Sequence, residues 1–156
     1  MKILLLEDRG SAAYPMKDML EELRSEPHEV VFSWSVREAR ARFQGGKAGF
    51  DCIIADLNVP ADGLSPSEFV ESQGGQIAGW IWLELEKIVR KKNDAEPNIP
   101  KNNPAVIVYS GYLNVWRQCR REGDYPDVAF IAKAAGGAAK VMERVNAIAA
   151  RGGGGK

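Results

Sequence analysis

The chain has 156 residues and sets 21 lysines and arginines against 21 aspartates and glutamates, a formal net charge of zero. With a sequence pI of about 6.6, it offers no global field for a nucleic acid or an anionic membrane to exploit. Its one histidine excludes a multi-histidine metal centre, its two unclustered cysteines exclude a disulfide framework or a zinc site, and its size fits one ordinary domain.

The amino terminus, MKILLLED, is one short apolar run that turns acidic at Glu7 and Asp8. It is shorter than a signal peptide's apolar region or a membrane span, so a soluble, cytoplasmic protein is expected. Residues 2–6 read as a first strand and 13–25 as a helical pattern. A weaker run, EVVFSW at 29–34, gives a second strand, followed by a helix over 36–44. CIIA at 52–55 is a third strand that delivers Asp56 to its end and breaks at once into Asn58 and Pro60.

A long connection, ADGLSPSEFVESQGGQ at 61–76, follows this strand where two to six residues are usual. Within it, SPSE at 65–68 has the pattern of a capping box, with Ser65 as N-cap, Pro66 at the first helical position and Glu68 at the third. Gly74 and Gly75 would end that short helix. A helix over 77–92 begins with Trp80 and Trp82, of which one is expected to be buried and the other to face the 61–76 segment. A second polar extension, 93–104, leads into the fourth strand, AVIVYS at 105–110.

A helix over 112–122 carries Trp116 and Cys119 on one side, with Arg117, Arg120 and Arg121 around them as a solvated basic face. VAFIA at 128–132 is the fifth strand and ends in Lys133; a helix over 137–150 closes the fold. RGGGGK at 151–156 has no residue able to pack and is expected to be a disordered tail. His28 falls in a loop far in sequence from every candidate site residue and takes no role.

Short Ile-, Val- and Leu-rich runs bounded by polar residues are how strands covered on both faces read. Their alternation with helices predicts a single α/β domain over 1–150, with a parallel sheet and right-handed crossovers. In such a sheet the ligand site lies outside the carboxyl ends of the strands. Those ends carry Glu7 and Asp8, Asp56, Ser110 with Gly111, and Lys133. Singly, each has an ordinary explanation: strand-end carboxylates cap helices, and Ser110 could be the N-cap of the helix after it.

Together they define chemistry. Crowded carboxylates raise one another's pKa unless a cation sits among them, and Mg²⁺ takes a few carboxylates, several waters and phosphate oxygens. With the charge neutralised, one carboxylate can serve as a nucleophile toward phosphorus, while the lysine and hydroxyl hold the transferred oxygens. A flavin phosphate, by contrast, would be repelled by these acidic ends.

The ordered set Glu7–Asp8, DLNVP from Asp56 to Pro60, Ser110–Gly111 and Lys133 resembles the receiver domain of two-component response regulators, from Lys2 to about Ala150. The resemblance implies a flavodoxin-like, doubly wound five-stranded parallel sheet of order 2-1-3-4-5. It also implies phosphorylation of Asp56, with Mg²⁺ on Asp8, Asp56 and the main-chain carbonyl of Asn58, Glu7 assisting, and Ser110 and Lys133 on the phosphoryl group. Phe130 falls at the family's aromatic switch position, so Ser110 and Phe130 would couple phosphorylation to a surface of the fourth helix, fifth strand and fifth helix. Expected partners are a sensor histidine kinase or histidine phosphotransfer protein and a downstream protein, with no output domain after the fifth helix.

The family's proline after the lysine is replaced by Ala134, for which a trans peptide is expected. The 61–76 segment could slow phosphate loss, restrict the donor, or be a tolerated surface insertion. Two rival readings are a receiver-like interaction module that is never phosphorylated and a Mg²⁺-dependent aspartyl-phosphate phosphohydrolase. Asn58 stands against the second, because such enzymes usually place an acid two residues after the nucleophile.

Overall fold

The computed structural model describes residues 1–22, 28–92 and 103–154. Five strands, β1 (Lys2–Leu6), β2 (Glu29–Ser33), β3 (Cys52–Ala55), β4 (Ala105–Ser110) and β5 (Val128–Ala132), form one sheet in the order β2-β1-β3-β4-β5. Every pairing is parallel. The order reverses beside β1, whose Leu6 pairs with Ser33 on one side and with Ala55 on the other.

The described residues form six α-helices: α1 (Gly10–Glu22), α2 (Val36–Phe43), α3 (Pro66–Glu71), α4 (Ala78–Leu85), α5 (Leu113–Arg117) and α6 (Gly137–Gly154). Alternate residues of a strand point to opposite faces, so each strand feeds two cores. Leu4, Leu6, Ile53, Ala55, Val106 and Val108 pack with buried side chains of α2 and α4. Ile3, Leu5, Cys52, Ile54 and Ile107 pack with Met16 and Leu20 of α1 and with Val141 and Val145 of α6.

Several elements differ from the sequence expectation. The helix expected over 77–92 ends at Leu85 because Lys87 turns left-handed (φ 56°) and the Ile88 amide returns to the Leu83 carbonyl at 2.9 Å, which is a Schellman ending. That turn sends Ile88 and Val89 into the core. The helix expected over 112–122 stops at Arg117: the Trp116 carbonyl takes the amides of both Cys119 and Arg120, and a single 3₁₀ turn at Glu122–Asp124 brings Tyr125 down onto the core. The closing helix extends to Gly154, past its expected end at 150, although glycine in a helix costs about 1 kcal/mol per residue. Of the 93–104 extension, 93–102 lie outside the described residues, as do 23–25 of the first expected helix and the last two residues of the tail.

The 61–76 segment folds against α2. The Arg40 guanidinium donates to the Gly63 carbonyl at 2.7 Å, and Leu64 packs on the core. Its short helix has the expected capping box: Ser65 Oγ accepts from the Glu68 amide at 3.2 Å, and Glu68 Oε1 accepts from the Ser65 amide at 2.7 Å. Both Trp80 and Trp82 are fully buried, which corrects the expectation that only one of them is. Trp80 belongs to an aromatic cluster with Trp116, Tyr125 and Phe130, whereas Trp82 meets Phe43 edge-on.

Candidate phosphoryl-acceptor site

Ser110 closes β4, whereas Glu7, Asp56 and Lys133 lie one position beyond their strands, and the ladder still holds them there. The Glu7 amide donates to the Ser33 carbonyl at 3.0 Å, the Asp56 amide to the Leu6 carbonyl at 2.9 Å and the Lys133 amide to the Ser110 carbonyl at 3.1 Å. Each backbone is therefore fixed by the sheet while its side chain projects past the sheet edge. Beyond Asp56 the chain bends sharply, with the Val59 amide on the Leu57 carbonyl at 3.2 Å, and Asn58 turns its own amide toward Asp56 Oδ1 at 3.4 Å.

The edge brings together Glu7, Asp8, Asp56, Ser110 and Lys133. Lys133 Nζ donates to Asp56 Oδ2 at 2.8 Å and also to Glu7 Oε2. Ser110 Oγ donates to Asp56 Oδ1 at 2.6 Å while accepting from the Tyr112 amide at 3.1 Å and, more weakly, from the Leu57 amide at 3.4 Å. The serine therefore binds the Asp56 carboxylate and is not the N-cap of α5, a place taken by Tyr112 with no side-chain cap bond. Glu7 and Asp56 are buried and Asp8 is exposed, with one carboxylate oxygen of each lying within 4.8 Å of the others.

Burial pushes the Glu7 carboxyl above its usual range, and the Asp56 charge adds to that, against the opposing pull of Lys133. Burial alone would lower the Lys133 ammonium, yet its bonds to Asp56 and Glu7 hold it above the usual lysine value, so it is firmly charged at neutral pH. Three carboxylates face one ammonium, and the excess negative charge opens to solvent on the Asp8 side. A cluster of hard oxygen donors with one exposed member fits a divalent cation of the Mg²⁺ class.

Two structural contributors were not legible from the sequence. Gly79, at the start of α4, packs so closely on the end of β3 that a Cβ there would lie 2.2 Å from the Asp56 carbonyl oxygen. The Tyr109 ring lies under Lys133, 5.7 Å from its Nζ. Phe130 sits half-buried, its ring centroid 4.4 Å from that of Trp116. No described peptide bond is cis, including the one at Ala134. His28, away from this edge, is buried with Nδ1 at 3.1 Å from the amino terminus. Two of the three arginines of the α5 region are tied down: Arg120 donates to Glu84 at 2.8 Å and Arg117 to Glu122 at 2.7 Å.

A five-stranded parallel sheet of this order is also the fold of solved receiver domains. The receiver domain of the Francisella response regulator 1452 superposes over 96% of this chain and 97% of its own with a TM-score of 0.60, at 17% identity. The phosphorylated cyanobacterial phytochrome response regulator RcpA covers 94% of this chain and 89% of its own with a TM-score of 0.54, at 21% identity. No protein-family model and no curated protein sequence matches the chain. The likeness to receivers is one of fold, in agreement with the resemblance read from the motifs.

Proposed function

We propose that this protein is a phosphoacceptor receiver of a two-component phosphorelay, modified on Asp56 in a Mg²⁺-dependent reaction. The observation that carries the reading is the convergence of Glu7, Asp8, Asp56, Ser110 and Lys133, drawn from four strand ends, on one carboxylate whose two oxygens are each held by a different donor.

An Asp56 oxygen attacks the phosphorus of a phosphohistidine on a sensor kinase or histidine phosphotransfer protein. The new O–P bond forms as the N–P bond breaks, and the imidazole leaves with the bonding pair. Mg²⁺, when held by Asp8, Asp56 and the Asn58 carbonyl with Glu7 assisting, supplies charge neutralisation among the carboxylates and on the phosphoryl oxygens. Lys133 and Ser110 already carry their donors on the acceptor oxygens, and they transfer those hydrogen bonds to the phosphoryl group as it arrives. Release of Ser110 from Asp56 Oδ1 frees the Leu57 and Tyr112 amides that it now accepts from.

Phe130, one strand over and packed on Trp116, lies where such a change reaches the surface formed by α5, β5 and α6. Signalling through that surface to a downstream protein makes the chain a regulator, acting in the cytoplasm and catalysing only its own gain and loss of phosphate. The bonds that tie 61–64 to α2 favour a pocket left open by the insertion.

The test is intact-protein mass after incubation with acetyl phosphate. One added phosphoryl group is expected in the native chain with Mg²⁺, and none in Asp56→Asn or after chelation. An unmodified native chain, or an equally modified Asp56→Asn, would overturn the assignment.

A further inference from the structure

The 61–76 segment leaves the acceptor loop at Pro60, packs on α2, turns through α3 and comes back to the same loop at Gly79. That return is unusually close. An added Cβ at Gly79 would lie 2.2 Å from the Asp56 carbonyl oxygen, 3.3 Å from the Asp56 carbonyl carbon and 3.5 Å from the Leu57 Cα. Real Cβ atoms do not approach a carbonyl oxygen to 2.2 Å, and neither partner is the free end of a flexible side chain. The Gly79 amide also donates to the Leu57 carbonyl at 2.9 Å.

Gly79 is thus a steric and hydrogen-bonded stop on residues 56–57, added to the ladder bond from the Asp56 amide to the Leu6 carbonyl. The other anchors of this turn explain why it cannot drift: the Ala78 amide is on the Gly75 carbonyl at 3.2 Å, the Ile77 amide on Ser72 at 2.9 Å, and Trp80 and Ile81 are buried immediately afterward.

We infer that Gly79 is a positioning residue for the acceptor loop, setting the backbone that carries the Asp56 carboxylate and the Asn58 carbonyl so that both face one divalent cation. The inference rests on the proposed Mg²⁺-dependent acceptor function and deepens it. It gives the insertion a task, since the chain must leave the loop and return to it with a residue that has no side chain. Alanine at Gly79 can be accommodated only by moving the Asp56–Asn58 backbone or the first turn of α4. The first turn of α4 carries three consecutive buried side chains, Trp80, Ile81 and Trp82, and the Gly79 amide is bonded to the Leu57 carbonyl, so a shift on either side of the contact is passed to the loop.

The experiment compares Gly79→Ala with Ile81→Val, which removes one methyl group from the core two residues further along α4. For each chain the melting temperature, the Mg²⁺ midpoint from tryptophan emission, and the initial rate of phosphoryl gain from acetyl phosphate are measured. Gly79→Ala is expected to raise the Mg²⁺ midpoint by at least tenfold and to slow phosphoryl gain at low Mg²⁺, with the rate partly restored at high Mg²⁺. Ile81→Val is expected to lower the melting temperature with an unchanged midpoint. An unchanged midpoint in folded Gly79→Ala overturns the inference.

Should Gly79→Ala not fold, the Gly79 amide resonance of the native chain gives the answer. It is expected to shift with the same Mg²⁺ midpoint as those of Leu57 and Asn58, and a stationary Gly79 resonance overturns the inference. A native chain that neither binds Mg²⁺ nor gains phosphate removes the acceptor function and this role together, which distinguishes that failure from a defect confined to the variant.

Discussion

Replacing Lys133 with methionine tests the electrostatics of the site directly. Methionine keeps the apolar stem but removes the ammonium that donates to Asp56 Oδ2 at 2.8 Å and to Glu7 Oε2. Glu7 and Asp56 are 4% and 6% exposed, so water cannot take the ammonium's place. Two unit charges at the 4.8 Å limit of the cluster repel by about 3.5 kcal/mol at an effective dielectric of about 20.

The loss has a ceiling. Glu7, with an ordinary pKa of 4.5, escapes further penalty at neutral pH by taking up a proton, which caps its cost at about 3.4 kcal/mol. A destabilisation of about 3 kcal/mol is therefore expected near pH 7, and for a domain of this size it lowers the melting temperature by about 6–12 °C.

The sign with pH follows from Glu7. Its folded pKa is already raised, by burial first and then by Asp56. A carboxyl raised in the fold contributes stability below its unfolded pKa and loses that contribution as pH rises through the folded value. Removing Lys133 raises Glu7 further, so the deficit of Lys133→Met is small near pH 4, widens toward pH 7 and narrows again when Mg²⁺ is added. Thermal melts of both chains across that range, with Mg²⁺ and with chelator, provide the measurement. Equal melting temperatures at neutral pH in chelator, or a deficit independent of pH, would refute the electrostatic account.

Two further outcomes follow from the same geometry. Mg²⁺ at about one hundred times its dissociation constant should stabilise the native chain by about 2.7 kcal/mol; Asp8→Asn should lose most of that gain while melting close to the native chain in chelator, because Asp8 is exposed. Trp116→Ala should cost about 3–5 kcal/mol in urea unfolding, since Trp116 is fully buried against Trp80 and Phe130 at 5.1 and 4.4 Å; a loss below about 1 kcal/mol would show that the cluster is not core.

The strands were legible because burial on both faces writes itself as short unbroken apolar runs, and the edge chemistry was legible because each run ends in a residue that a core has no use for. Asp56, Ser110 and Lys133 share no sequence neighbourhood, yet a parallel sheet brings the same end of every strand together. The helices were less legible. The apolar pattern past Leu85 continues through Ile88 and Val89, and nothing local announces that Lys87 adopts a left-handed conformation.

Trp80 and Trp82 are two apart, a spacing that suggests one inward and one outward ring on an isolated helix. Here α4 is covered on several sides, by α2, the 61–76 segment and the aromatic cluster, so both are buried. Gly79 was invisible for a different reason: its demand comes from a carbonyl more than twenty residues away, and only the tertiary path reveals it.

The strand order also has a consequence for how the acidic edge comes into being. Glu7, Asp8 and Asp56 belong to the neighbours β1 and β3, while their ammonium arrives from β5, at sequence separations of 126 residues from Glu7 and 77 from Asp56. Contacts of such separation require long loops to close before they return any free energy. A partly folded or nascent chain in which β1 and β3 have paired but β5 has not docked holds its carboxylates together without their counter-charge. Docking of the final strand thus completes the sheet and brings the ammonium to the site in one event, and the order of assembly couples the two.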